Sequence, residues 1–208
     1  MSSIKKIAII ILSIIVLLII FMLFSINSNE LHKKEKKTTA QQYNEIDWKS
    51  MKFKLNKDVF MLNNKYKEFE NYNWYINFEK MGYKNGYKLD ANSKTMMTLK
   101  LNNKYYYDLE VLIGLSNDSS KKIDAKESKV WAIYVNNYNK KTPINFTLPS
   151  NITNGVNFDT IKNAYGNPNN IIKENNYKIY VYMHEYKIQL RLFVYNDNGL
   201  QAFEYKNY

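Results

Sequence analysis

The chain has 208 residues, 45% of them hydrophobic, and 30 Lys and Arg against 19 Asp and Glu give a net charge of +11; cysteine is absent. The missing cysteines exclude disulfides, thiolate metal sites, a cysteine nucleophile and the lipid attachment of a lipoprotein. Basic charge suits nucleic acid or an anionic surface, but the lysines are scattered, arginine occurs only at Arg191, and no aromatic stacking motif is present, so nucleic acid is not an expected partner.

Lys, Asn, Ile and Tyr dominate, as they do in proteins of AT-rich bacterial genomes, so abundance alone carries no functional weight. The opening tail, residues 1–6, holds Lys5 and Lys6. Residues Ile7–Ile26 then run without charge, Gly or Pro, with Ser13 and Ser25 the only polar groups. As a helix rising ~1.5 Å per residue this stretch covers ~30 Å, the thickness of a bilayer's hydrocarbon. It predicts a transmembrane helix with the lipid bilayer as its partner. A signal peptide is the competing reading, but the run exceeds the usual apolar core of one and no A-x-A cleavage site follows.

The flanking charge conflicts with the preferred topology. Lys33, Lys34, Lys36 and Lys37 outnumber Lys5 and Lys6, which by the positive-inside rule places the C-terminal side in the cytosol. A long domain behind a signal-like helix crosses largely regardless of such charges, and this places the domain outside the cell membrane. Both orientations stay open, with the second expected. Residues 27–45 read as a polar, basic linker. Setting Lys5 and Lys6 aside from the net +11 leaves +9 beyond the apolar run, which suits an anionic wall polymer or lipid head groups.

Residues 46–140 read as a first α+β unit. Met51–Leu55 alternates as a strand, Leu62–Phe69 has helical spacing, and Trp74–Phe78 alternates again. Asn85-Gly86 signals a turn. Met97–Leu101, Tyr105–Gly114 and Lys129–Val135 read as further strands, with Ser116–Ser128 a long loop between the last two. Residues 141–208 read as a second unit, opening with a strand through Phe146 and Leu148. A helix follows at Asn157–Tyr165, with Asn157 as cap, Phe158, Ile161 and Tyr165 on one face, Gly166 as exit and Pro168 as stop. Strands are then predicted at Tyr177–His184, Lys187–Tyr195 and Leu200–Tyr205, the last two joined by the Asn196–Gly199 turn. Phe53-x-Leu55 and Phe146-x-Leu148 recur 93 residues apart, each followed by a short helix and antiparallel strands, which suggests a doubled unit.

The stretch from Gly155 through Phe158, Asp159 and Ile161 to Tyr165-Gly166-Asn-Pro168, followed by a three-stranded hairpin sheet, resembles the β-lactamase-inhibitor-protein-like and SmpA/OmlA-like superfamily. The resemblance spans Ile152–Tyr205 and is weaker in the first half. It implies a helix-plus-antiparallel-sheet module, and with the apolar run and the doubled element order the expected fold is α+β, an N-terminal transmembrane helix followed by two helix-plus-antiparallel-sheet units. It also implies a non-catalytic binding or envelope-assembly role, as in membrane-anchored exported proteins of low-GC Gram-positive bacteria. It assigns no site residue to this chain.

Catalytic chemistry has little to rest on. His32 lies in the linker and His184 at a strand end, and no nucleophile elbow, Walker sequence or dinucleotide fingerprint occurs. Asn196–Gly199 fails the calcium-loop register. No catalytic residue, metal site or cofactor is expected. One surface is: Arg191, Phe193 and Tyr195, with Tyr180 and Tyr182 of the neighbouring strand, would gather aromatics around the single arginine, the composition of a protein-interface core. The same face could instead be covered by the first unit. The function expected is binding of an envelope protein or wall polymer by a non-catalytic extracytoplasmic domain; the alternative is an extracytoplasmic enzyme acting on wall polymer through an unrecognised site.

Overall fold

The computed structural model describes residues 47–83 and 86–208. Ile46–Tyr208 forms one compact unit. Its elements are β1 (Lys52–Leu55), β2 (Asp58–Met61), α1 (Lys67–Glu70), β3 (Trp74–Ile76), β4 (Lys88–Leu89), β5 (Ser93–Lys94), β6 (Leu99–Asn103), β7 (Glu110–Asn117), β8 (Ile123–Asp124), β9 (Lys129–Asn136), β10 (Phe146–Leu148), β11 (Ile152–Thr153), α2 (Phe158–Tyr165), β12 (Asn170–Lys173), β13 (Tyr177–His184), β14 (Ile188–Tyr195) and β15 (Gly199–Asn207).

A long antiparallel sheet runs β12-β13-β14-β15-β9-β7-β6-β3, with β5 also paired to β7, and a smaller one runs β11-β10-β1-β2. Alternation explains how they meet. In β1, Phe53 and Leu55 are buried while Lys52 and Lys54 point away. Phe60, Phe146, Leu148 and Ile152 add to the same apolar face of the small sheet. That face lies on the long sheet through Phe203, whose ring is 5.9 Å from Phe53 and 5.0 Å from Phe146. The inner face of the long sheet continues across its register as Leu192, Phe203, Val135 and Val111, and as Leu190, Tyr205, Ile133 and Ile113. Tyr205 Oη donates to the Trp48 carbonyl at 2.9 Å and ties the entry turn to this core.

Helix α2 forms as its punctuation predicts. Asn157 Oδ1 accepts from the Thr160 N–H at 2.9 Å, and Gly166 donates to Lys162 from a positive φ of 79°. Ile161 is fully buried, and Phe158 and Tyr165 lie on Tyr180 and Tyr182.

The α+β expectation is corrected. Fifteen strands and two helices, of four and eight residues, make the described fold predominantly antiparallel β. The two helix-plus-antiparallel-sheet units are not separate bodies in it. The repeated Phe-x-Leu strands β1 and β10 pair with each other, Leu55 opposite Phe146, and β15 of the second half pairs with β9 of the first. Exposed strand edges are costly, and each half covers the other's edge. Among the described residues no helix is long and apolar enough to cross a membrane, so the expected transmembrane helix is no part of the described fold. Ile7–Ile26, the tail 1–6 and the linker 27–45 lie outside the described residues.

Two local expectations also shift. The α-helix expected over Leu62–Phe69 forms only at Lys67–Glu70, because Tyr66 turns inward and accepts the Ile76 N–H at 2.6 Å. The Ser116–Ser128 loop is largely structured. Buried Asn117 ends β7 and donates to the Asp90 and Lys121 carbonyls at 2.8 and 2.7 Å, holding the chain for β8 and a 3-10 turn at Ala125–Glu127.

Candidate binding face

The five residues singled out from sequence divide between the two faces of the long sheet. The β13–β14 hairpin pairs Tyr180 with Leu192 and Tyr182 with Leu190, so both tyrosines share the inner face with those leucines. They are 5% and 2% exposed, with Phe158 stacked on Tyr180 at 3.8 Å and Tyr165 edge-on to Tyr182 at 5.7 Å. Burial pushes the Tyr182 phenol up to about 12, with a further contribution from Tyr180. These two rings are core. Arg191, Phe193 and Tyr195 point to the other side, where Val181 and Ile179 are their cross-strand neighbours.

Register carries this outer face across the sheet. One row reads Ile179, Phe193, Ala202, Asn136 and Glu110; the next reads Val181, Arg191, Glu204, Tyr134 and Leu112. Five rings join along it. Tyr138 stacks on Tyr195 at 3.9 Å, Tyr177 lies 4.8 Å from Tyr195 and 6.1 Å from Phe193, and Tyr134 meets Phe193 edge-on at 5.7 Å. Beside them Glu204, only 7% exposed, places Oε1 2.9 Å from Lys206 Nζ and 3.5 Å from Arg191 Nε. One acid between two bases leaves a fixed positive charge bordered by aromatic rings.

The electrostatics favour neutral phenols. Burial first, then the Glu110 carboxylate and the neighbouring Tyr195, Tyr177 and Glu204, raise the Tyr134 phenol well above its ordinary value. Tyr195 is raised by burial, then by Tyr177 and Tyr138. Such phenols offer flat apolar area with a hydroxyl at the rim.

At the far end of β7 the same face is closed by Trp131, whose indole lies across Gly114 and donates to the Thr95 carbonyl at 3.1 Å. A Cβ on Gly114 would stand 2.5 Å from Trp131 Nε1, so only glycine lets the ring lie flat there. At the opposite corner a cleft of about 470 Å³ opens between the start of α2 and the β14–β15 turn, lined in part by Asn157, Lys178, Tyr195 and Asn198. His184 Nε2 sits 3.6 Å from Glu185 Oε1 in the β13–β14 turn, away from the ring row. Among the described residues no three His, Asp or Glu side chains gather closely enough to hold a metal ion.

Sequence reasoning did not reach Tyr134, Tyr138, Tyr177, Glu204 or Lys206. The signal was present for Glu204, a lone acid inside the apolar alternation Phe203-Glu204-Tyr205, but its partner becomes visible only once the β14–β15 register is known. Comparison with protein-family models, with curated proteins and with solved structures finds no match.

Proposed function

We propose that this domain is a non-catalytic binding module of the cell envelope and that the outer face around Arg191, Phe193 and Tyr195 docks an envelope protein. The observation that carries the reading is the row of five touching rings beside the Arg191–Glu204–Lys206 cluster. Aromatic and arginine side chains that are half-buried before binding lose little conformational entropy on docking, and they dominate the energetics of protein interfaces. The charge of the cluster would select an acidic or carbonyl-rich partner surface. The apolar sequence Ile7–Ile26 and the basic balance of the residues after it support a place at the membrane surface with the domain outside. The resemblance to β-lactamase-inhibitor-protein-like and SmpA/OmlA-like modules, whose members bind rather than catalyse, points the same way.

The test is site-specific photo-crosslinking on intact cells. A photoreactive residue at Phe193 or Tyr195 should yield one discrete protein adduct, and Arg191→Ala should diminish it. The same probe at Tyr75, on the edge strand β3, should not yield that adduct. A diffuse smear from every position, or adducts only after lysis, would remove the proposal.

A further inference from the structure

A second site lies at the β3 end of the long sheet, where three turns meet. These are the β1–β2 turn at Lys57, the α1–β3 turn at Asn71–Asn73, and the β6–β7 connection at Tyr105–Tyr106; together they line a groove of about 430 Å³. Loops carried by a rigid sheet are where binding groups are commonly displayed. Asn73 adopts a positive φ of 63°, a conformation asparagine tolerates, which lets the chain turn sharply out of α1 into β3.

Three tyrosine rings line the groove and remain open to solvent: Tyr72 is 47% exposed, Tyr105 63% and Tyr106 40%. Two are anchored from behind. Tyr72 meets buried Phe60 edge-on at 5.6 Å, and Tyr106 lies within 20° of parallel to fully buried Trp74 at 6.5 Å. Trp74 is itself held by the Asp58 carboxylate, its indole N–H donating to Oδ2 at 3.1 Å. The Tyr72 and Tyr106 rings are therefore preorganised, while Tyr105 stands exposed beside them. Between them stand the side-chain amides of Asn71 and Asn73, which make no side-chain hydrogen bond among the described residues, and Asn103, whose Oδ1 accepts from the Tyr105 N–H at 2.8 Å.

Flat rings, uncommitted amides, one carboxylate and one ammonium (Lys57) form a lining without an aliphatic side chain. The Lys57 and Asp58 charges offset, with the Lys104 ammonium 5.9 Å from the Tyr105 ring centroid at the edge of the groove. Aromatic rings and polar groups without an aliphatic side chain favour a ligand with flat apolar faces and hydroxyls over an aliphatic anchor or a polyanion. A sugar ring presents C–H faces suited to tyrosine and hydroxyls suited to amide and carboxylate groups.

We propose that this groove binds a neutral oligosaccharide, the rings of Tyr72, Tyr105 and Tyr106 taking sugar faces while Asn71, Asn73 and Asp58 take hydroxyls. The site shares no residue with the outer face of the long sheet, so the two proposals stand or fall separately. The experiment is calorimetric titration of the full chain, kept in a detergent without sugar headgroups, against a panel of neutral tetrasaccharides: β-1,4-linked N-acetylglucosamine, β-1,4-linked glucose and α-1,4-linked glucose. At least one should bind. Tyr105→Ala and Tyr72→Ala should each weaken it about tenfold, a change of ~1.4 kcal/mol. Tyr186→Ala, at the exposed β13–β14 turn, should leave it unchanged, with thermal unfolding confirming that each variant is folded. The proposal is overturned if the whole panel fails to bind at millimolar concentration, or if binding survives both groove variants. It is likewise overturned if only charged glycans bind and salt abolishes them, or if a photoreactive group at Tyr105 labels a protein instead.

Discussion

The two faces of the β13–β14 hairpin use the same residue types for opposite ends. Tyr180 and Tyr182 on the inner face are sealed beneath α2, while Phe193 and Tyr195 on the outer face are joined through the Tyr177 ring beside a charged cluster. What separates them is one step of register. Strand side chains alternate with period two, so pairing Tyr182 with Leu190 sends every even-numbered side chain of both strands inward and every odd-numbered one outward. An aromatic ring is thus sealed in the core or left half-buried on the outer face according to its parity, and substitutions on the two faces should behave differently.

The inner face should respond most. Phe203→Ala empties the contact between the two sheets and should destabilise the domain by roughly 3–5 kcal/mol, as large core truncations do. Denaturant unfolding measures this, and a loss near zero would mean that the small sheet is not docked on Phe203. Next comes the charged cluster of the outer face. Glu204→Gln keeps the shape but leaves Arg191 and Lys206 facing each other without their acid, and a destabilisation of about 1–3 kcal/mol is expected. If the variant is as stable as the parent, the cluster is solvated and contributes nothing to the fold.

Alkaline pH gives a finer comparison. The Tyr182 phenol has its pKa raised in the folded state, from 10.0 to about 12, so the fold favours the neutral form. Its contribution is fully present below pH 10 and is lost as pH rises towards about 12. Tyr182→Phe should flatten the fall in stability across that window, whereas Tyr186→Phe, at a ring 89% exposed, should not. The pH dependence of the unfolding midpoint reads both. The smallest effect on stability belongs to the outer rings. Tyr195→Ala loses contacts with Tyr138 and Tyr177 worth about 1 kcal/mol, yet it should abolish the crosslinked adduct formed from Phe193. A variant that unfolds the domain instead would place Tyr195 with the core.

Much of the local structure was legible before the fold was known. Asn157, Gly166 and Pro168 bound α2 because capping and helix exit depend on neighbours within a few residues. The alternation of β1, β9, β13, β14 and β15 was likewise visible, since period two is a local property. The ring row and the tyrosine groove were not legible. The row joins residues from Tyr134 to Tyr195, and the groove joins turns from Lys57 to Tyr106, through pairings that no local pattern encodes.

By itself the sequence determined the alternating strands β1, β9, β13, β14 and β15, where α2 begins and ends, and that no cysteine chemistry takes place. It also carries the apolar run Ile7–Ile26, whatever that run contacts. Only the tertiary structure decided that β1 and β10 are sheet partners rather than counterparts in two units, that Tyr180 and Tyr182 face away from Arg191, and that Glu204 stands between Arg191 and Lys206. The physical reason is common to all three. Capping and periodicity act over a few bonds, whereas strand partnership and register are chosen by burying edges and apolar faces across the whole chain.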